Sequence, residues 1–160
     1  MIELLGRVEA SGFATWVRES GSLWAYPLIL TLHTVGLSFL VGGKAVVDLR
    51  LLGFGRGIPF APLRVLFSMM WVGFFINAAS GLALFAADAT VKARQGVFWI
   101  KLALIGLGVV NIRSTRAFLT REAAALEAGL VSPRGRALAV VSLAIWAGAI
   151  TAGRLMAYLI

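Results

Sequence analysis

Four apolar stretches, each about as long as one crossing of a bilayer, constrain this chain more than any other feature of its sequence. The stretches are residues 21–43, 65–87, 96–112 and 137–160. A helix rises about 1.5 Å per residue, so about 20 apolar residues cross roughly 30 Å of hydrocarbon. The only charged residues in them, Lys101 and Arg154, lie near one end of their stretches, where long cationic side chains reach the interface. The pattern predicts four membrane spans.

The composition agrees with a lipid environment. The chain is 60% hydrophobic and only 14% charged, whereas ordinary soluble domains are about half apolar and about a quarter charged. We therefore predict an all-α protein, an integral membrane four-helix bundle forming a single transmembrane domain over residues 1–160.

Residues 1–20 have the pattern of an interfacial amphipathic helix. At about 100° per residue, Ile2, Phe13 and Trp16 fall on one side, and Arg7 and Arg18 fall on the other. A signal peptide is not predicted, because acidic residues interrupt the segment and no unbroken apolar run follows a basic start.

Basic residues are distributed unevenly between the two faces of the predicted bundle. The 44–64 and 113–136 connections contain nine arginines and lysines, whereas the opposite face has four, namely Arg7, Arg18, Lys92 and Arg94. Cytoplasmic loops are enriched in such residues. The count predicts a bacterial inner-membrane protein with both termini in the periplasm. It also gives the net charge of +8 a simpler cause than nucleic-acid binding, which is not expected.

Several kinds of chemistry are excluded or disfavoured by what the sequence lacks. There is no cysteine and only one histidine, so thiolate sites and multi-histidine metal sites within one chain are excluded. No pair of carboxylates lies within an apolar stretch, and no glycine-rich phosphate loop is present. These features favour a protein that is not an enzyme.

His33 and Asn77 are the candidate site residues at mid-membrane. Each lies about halfway along its apolar stretch, and an unpaired polar group in hydrocarbon costs several kcal/mol, so a shared hydrogen bond is expected. Two interpretations remain open. The pair only joins two helices, or His33 offers a ring nitrogen to a haem iron, a metal ion, a quinone or a proton path.

Lys101 and Arg154 complete the candidate cofactor site, because both lie toward the end of the membrane from which His33 is reached. They could bind the propionates of haem b, or they could bind lipid headgroups. The methionines are expected at other depths, which leaves a haem on His33 five-coordinate or shared across a dimer. A copper site made from His33 and methionines meets the same difficulty.

Small residues at intervals of four predict where the helices touch. Such residues let helix backbones approach closely in lipid. One stripe is Gly73, Asn77 and Gly81, and the other is Ala144, Gly148 and Ala152.

Three sequence segments resemble an uncharacterised family of small four-helix bacterial membrane proteins. They are Leu23-Trp24-Ala25-Tyr26-Pro27 before His33, Val47-Asp48-Leu49-Arg50-Leu51-Leu52-Gly53, and Phe98-Trp99-Ile100-Lys101-Leu102. A more distant resemblance is to the membrane domain of copper-resistance D proteins. Several proteins of the family that the chain resembles carry a histidine at the end of the third span, where this chain reads Asn111-Ile112-Arg113-Ser114. The resemblance therefore does not imply a two-histidine site here.

These observations lead to a functional hypothesis with two alternatives. The preferred one is a small auxiliary or structural subunit of a bacterial inner-membrane assembly, which could be redox-linked, that packs against a membrane-protein partner or copies of itself. The first alternative is a haem-b or quinone-binding electron-transfer protein centred on His33. The second is a copper-handling membrane protein.

Overall fold

The chain is an all-α membrane bundle. The computed structural model describes residues 2–158, which form helices, turns and loops with no strand. In chain order the helices are α1 (Ile2–Glu9), α2 (Gly12–Glu19), α3 (Tyr26–Leu37), α4 (Gly43–Leu51), α5 (Phe60–Ala87), α6 (Ala89–Arg94), α7 (Gly96–Arg121), α8 (Ala123–Glu127) and α9 (Pro133–Leu155). A π-helical turn, Ser38–Gly42, joins α3 to α4 without a break.

Four helices are long and apolar enough to cross a membrane. The first span is Tyr26–Leu51, and α5, α7 and α9 are the second, third and fourth spans. All four spans extend beyond their predicted bounds at the same end of the bundle, which is formed by the 51–60 and 121–133 connections. We call it the arginine-rich end. The expected bounds stopped short there because charged residues in the sequence were assigned to loops, although they continue the helices.

The spans pack as two antiparallel pairs, the first with the second and the third with the fourth. A Cβ built on Gly73 would lie 2.7 Å from Gly36 O and 2.8 Å from Leu40 N, so the first two backbones are in direct contact. The predicted seam of Gly73, Asn77 and Gly81 is confirmed. In the second pair the indole of Trp146 occupies the space above Gly108. The fourth span also packs against α4, and this contact holds the two pairs together.

The predicted seam on the fourth span was wrong in register. Ala144 is exposed, Gly148 is only partly buried against Leu104, and Ala152 alone of the three is buried. The buried face of this helix includes Ala139, Ser142 and Trp146 instead. Glycine and alanine are frequent all round the helix, so their spacing did not distinguish the face that the large Trp146 ring occupies.

The N-terminal segment is two short helices rather than one. Ser11 caps α2, accepting a hydrogen bond from the backbone N–H of Ala14, and Ala14 and Val17 are buried. The Glu9 carboxylate accepts hydrogen bonds from Thr90 N and Thr90 Oγ1, at 3.0 and 2.6 Å, which lower the pKa of Glu9. Glu9, an acid on the apolar side of the N-terminal segment, therefore anchors α1 to α6.

Candidate functional site

His33 is held by three polar groups on the second span. Its Nδ1 lies 3.0 Å from Asn77 O and 3.1 Å from Ser80 Oγ. Asn77 Nδ2 donates to His33 O at 2.7 Å, so the two residues bond to each other in both directions. The expected pairing of His33 with Asn77 is present, although the imidazole bonds to the backbone carbonyl of Asn77 and not to its amide.

These contacts determine which ring nitrogen of a neutral imidazole carries the proton. A carbonyl oxygen only accepts hydrogen bonds, so Nδ1 carries the proton and donates it to Asn77 O. The Ser80 hydroxyl donates to Ile76 O at 2.6 Å and its oxygen is free to accept from Nδ1 as well. In a neutral ring Nε2 then carries a lone pair, and it has no hydrogen-bond partner within residues 2–158.

Gly81 leaves room for the ring in this orientation. A Cβ at Gly81 would lie 3.0 Å from His33 Cε1 and 3.4 Å from Nδ1. One helical turn away, Gly36 and Gly73 bring the backbones together, so a planar macrocycle has no space between the first and second spans at that level. A ligand of Nε2 must therefore approach from outside this helix pair.

Lys101 and Arg154 differ in their relation to His33. Lys101 has no hydrogen bond to His33 in residues 2–158, and its charge, like that of Lys92, acts on the imidazole only at longer range. Its side chain lies along Gly153, where a Cβ would be 3.7 Å from Nζ, and it has no acceptor within residues 2–158. Arg154 is exposed, and no hydrogen bond or ion pair in that part of the chain joins it to the site. Neither cation therefore contacts His33 directly in the part of the chain that the structure describes.

Further metal ligands do not gather at this site. In residues 2–158 no group of three His, Asp or Glu side chains could hold a metal ion. Met70 lies against Gly43, ten residues further along the first span than His33. Nothing in this arrangement favours the copper site considered from the sequence.

A second polar site lies inside the bundle, on residues that the sequence pattern placed in a connection. Lys44 and Asp48 are on α4, both have fully buried side chains, and Lys44 Nζ donates to Asp48 Oδ1. The expected connection from residue 44 to residue 64 was therefore wrong at its beginning. The helix continues because the two charges compensate each other one turn apart, so the pair enters the interior with no net charge.

The environment of this ion pair is polar but incompletely bonded. Ser142 of the fourth span faces Asp48, and Trp146 follows one turn later on the same helix face. Asp48 Oδ2, Ser142 Oγ and Trp146 Nε1 are all buried, and none has a hydrogen-bond partner in residues 2–158. Asn111 and Thr115 of the third span add a neighbouring bonded pair, with Asn111 Nδ2 donating to Leu138 O.

The sequence does contain a signal for this second site. Lys44 and Asp48 are four residues apart within a stretch that is otherwise apolar from Leu40 to Leu49, and that spacing places them on one helix face. Counting each charge separately ends the apolar stretch at Gly43, whereas counting the pair as neutral extends it to Leu49, next to Arg50.

No protein-family model matches the chain, and comparison with curated proteins and with solved structures gives no match either. The family resemblance described from the sequence therefore stays a prediction.

Proposed function

We propose that this chain is an auxiliary subunit of a bacterial inner-membrane redox assembly that binds a quinone-type ligand at His33. The observation that carries the proposal is the fixed imidazole, whose Nδ1–H is donated to Asn77 O while Nε2 keeps an unshared lone pair. An acceptor of this kind selects a hydroxyl donor, so the reduced quinol is expected to bind better than the quinone. The half-buried Lys101 of the third span adds a positive charge within Coulombic range, without a hydrogen bond to His33.

The position of His33 supports a ligand that arrives through the lipid. The site is not enclosed between the first two spans, because Gly36 and Gly73 bring those helices into contact. A lipid-soluble molecule can instead reach Nε2 from outside that pair. An intramembrane ionisable side chain is a functional candidate by default, and the bonds to the second span orient this one.

Binding of decylubiquinol to the detergent-purified protein tests the proposal. His33→Ala should weaken binding about tenfold, because a hydrogen bond of this kind contributes about 1–1.5 kcal/mol. Thr34→Val is the matched control, since the Thr34 hydroxyl donates to Leu30 O of its own helix and is exposed. Equal affinities of wild type and His33→Ala would contradict the assignment.

Haem b is the second candidate ligand, and one observation favours it. A histidine that ligates a metal usually donates its other ring N–H to a carbonyl or carboxylate, which is the arrangement of His33 and Asn77. His33 would supply the axial nitrogen and Lys101 a cation for a propionate. An absorption spectrum separates the candidates: a Soret band that His33→Ala removes identifies haem, and its absence from a preparation that binds quinol excludes haem retention.

The orientation in the membrane is part of the same proposal. Lys44 is fully buried and paired with Asp48, whereas the other eight of the nine basic residues counted from the sequence are nearer the arginine-rich end. We propose that this end is cytoplasmic and that both termini are periplasmic. Alkaline phosphatase fused to the C-terminus should be active, and a fusion within the 121–133 connection inactive. The reverse pattern would overturn the orientation.

A further inference from the structure

At the arginine-rich end, the third span carries an open pocket of about 360 Å³ whose lining is strongly basic. It is lined by Arg113, Arg116, Ala117, Thr120 and Arg121. No carboxylate lines it, and the three guanidinium groups form no ion pair with an acid in residues 2–158. Neither Glu122 nor Glu127, the nearest acids in sequence, forms an ion pair with them in this part of the chain. Three like charges on one helix face repel one another unless an anion binds between them.

Arg113 gives this pocket a defined place beside the second span. Its guanidinium lies over the ring of Trp71, with 5.7 Å from Cζ to the ring centroid. This cation–π contact holds the arginine against the second span. Arg121 is eight residues further along the helix, about 12 Å closer to the end of the span. The charges thus extend from the apolar part of the bundle towards its aqueous edge.

Exposed apolar side chains of the second and third spans lie one level further from the arginine-rich end than Trp71 and Arg113. Phe75 follows Trp71 by one turn on the second span, with 6.2 Å between their ring centroids, and it is 64% exposed. Val110 precedes Arg113 by three residues on the third span and is 61% exposed. Basic groups at one level and exposed apolar side chains at the next match the two parts of a phospholipid, its headgroup and its acyl chains.

We propose that this pocket is a specific binding site for an anionic phospholipid. The guanidinium groups of Arg113, Arg116 and Arg121 bind the phosphate, and Phe75 and Val110 contact an acyl chain. Arginine suits this role because its planar donors match the oxygens of a phosphate. The inference is independent of the ligand at His33 and goes beyond it, since the two sites are at different levels of the bundle.

Thermal unfolding of the detergent-purified protein with added lipid tests this site. Phosphatidylglycerol should raise the midpoint of the wild type, while phosphatidylcholine and inorganic phosphate at the same concentrations should not. The triple variant Arg113→Gln/Arg116→Gln/Arg121→Gln should bind phosphatidylglycerol about tenfold more weakly or worse. A shift of equal size with inorganic phosphate would overturn the assignment to a lipid.

A variant with the same change of charge distinguishes a specific lipid site from general electrostatic attraction of anionic lipid to this end of the bundle. Arg56→Gln/Arg134→Gln/Arg136→Gln removes three exposed arginines from the same end of the bundle but none from the pocket. It should keep the wild-type response to phosphatidylglycerol, and equal losses in the two triple variants would overturn the proposal. Native mass spectrometry of the wild type and of Arg113→Gln gives a second readout, in which the single variant should retain less bound lipid.

Discussion

Replacing Lys44 by methionine is expected to lower the free energy of unfolding by about 3–5 kcal/mol, because it leaves a buried carboxylate without its counter-ion. Both side chains of the Lys44–Asp48 pair are completely buried, and the second carboxylate oxygen already lacks a hydrogen-bond partner in the described residues. The charge of Asp48 would then have no compensation in a medium of low dielectric constant. Reversible unfolding in mixed micelles measures the loss.

Two further variants make this prediction specific to the buried pair. Lys44→Met/Asp48→Leu should recover most of the loss, since replacing both charges by apolar groups is often neutral or stabilising. Asp88→Asn breaks the ion pair of Asp88 with Lys92, which are also four residues apart. The side chains of this second pair are partly exposed. That change should cost less than about 1 kcal/mol. If Lys44→Met were as stable as the wild type, the pair would not be buried in the membrane-embedded protein.

Alanine at Gly73 is expected to destabilise the bundle by about 1–3 kcal/mol, the usual cost of forcing an extra group into a packed interior. The new Cβ would lie 2.7 Å from Gly36 O and 2.8 Å from Leu40 N. Backbone atoms of a helix cannot move aside as a flexible side chain can, so the first and second spans would have to separate. Thermal unfolding of the detergent-purified protein measures the effect.

Glycines without such neighbours supply the control. Gly42 and Gly106 have no atom within 4 Å of the position that a Cβ would take. Alanine at either site should leave stability unchanged or raise it by up to about 1 kcal/mol, because alanine favours the helix over glycine. If Gly73→Ala behaved in the same way as Gly106→Ala, the close contact between the first two spans would be contradicted.

The π-helical turn Ser38–Gly42 lies between the two polar sites of the first span. His33 precedes it and bonds to the second span, whereas Lys44 and Asp48 follow it and Asp48 faces the fourth span. A π-helical turn changes the angular relation of the residues on its two sides, and such turns occur frequently at functional sites. One helix therefore directs polar groups toward two different neighbours, which its pattern of apolar residues does not indicate.

The sequence by itself determined that the chain forms four apolar helices, because lipid requires backbone groups to bond within each segment and only long apolar helices meet that requirement. It also identified His33 and Asn77 as partners, since rare polar groups at one depth must pair. The close contact of the first two spans at Gly73 followed from the spacing of small residues along the second span.

Only the tertiary structure decided which polar groups meet and which stay apart. Asn77 engages His33 through its backbone carbonyl, which no side-chain pattern can reveal, and this bond sets the protonated nitrogen. The interior position of Lys44 and Asp48 depends on how the fourth span covers α4, which in turn depends on where the Trp146 ring fits against Gly108. Helix packing is determined by the shapes of side chains from distant parts of the chain, and the spacing of residues along one helix does not contain that information.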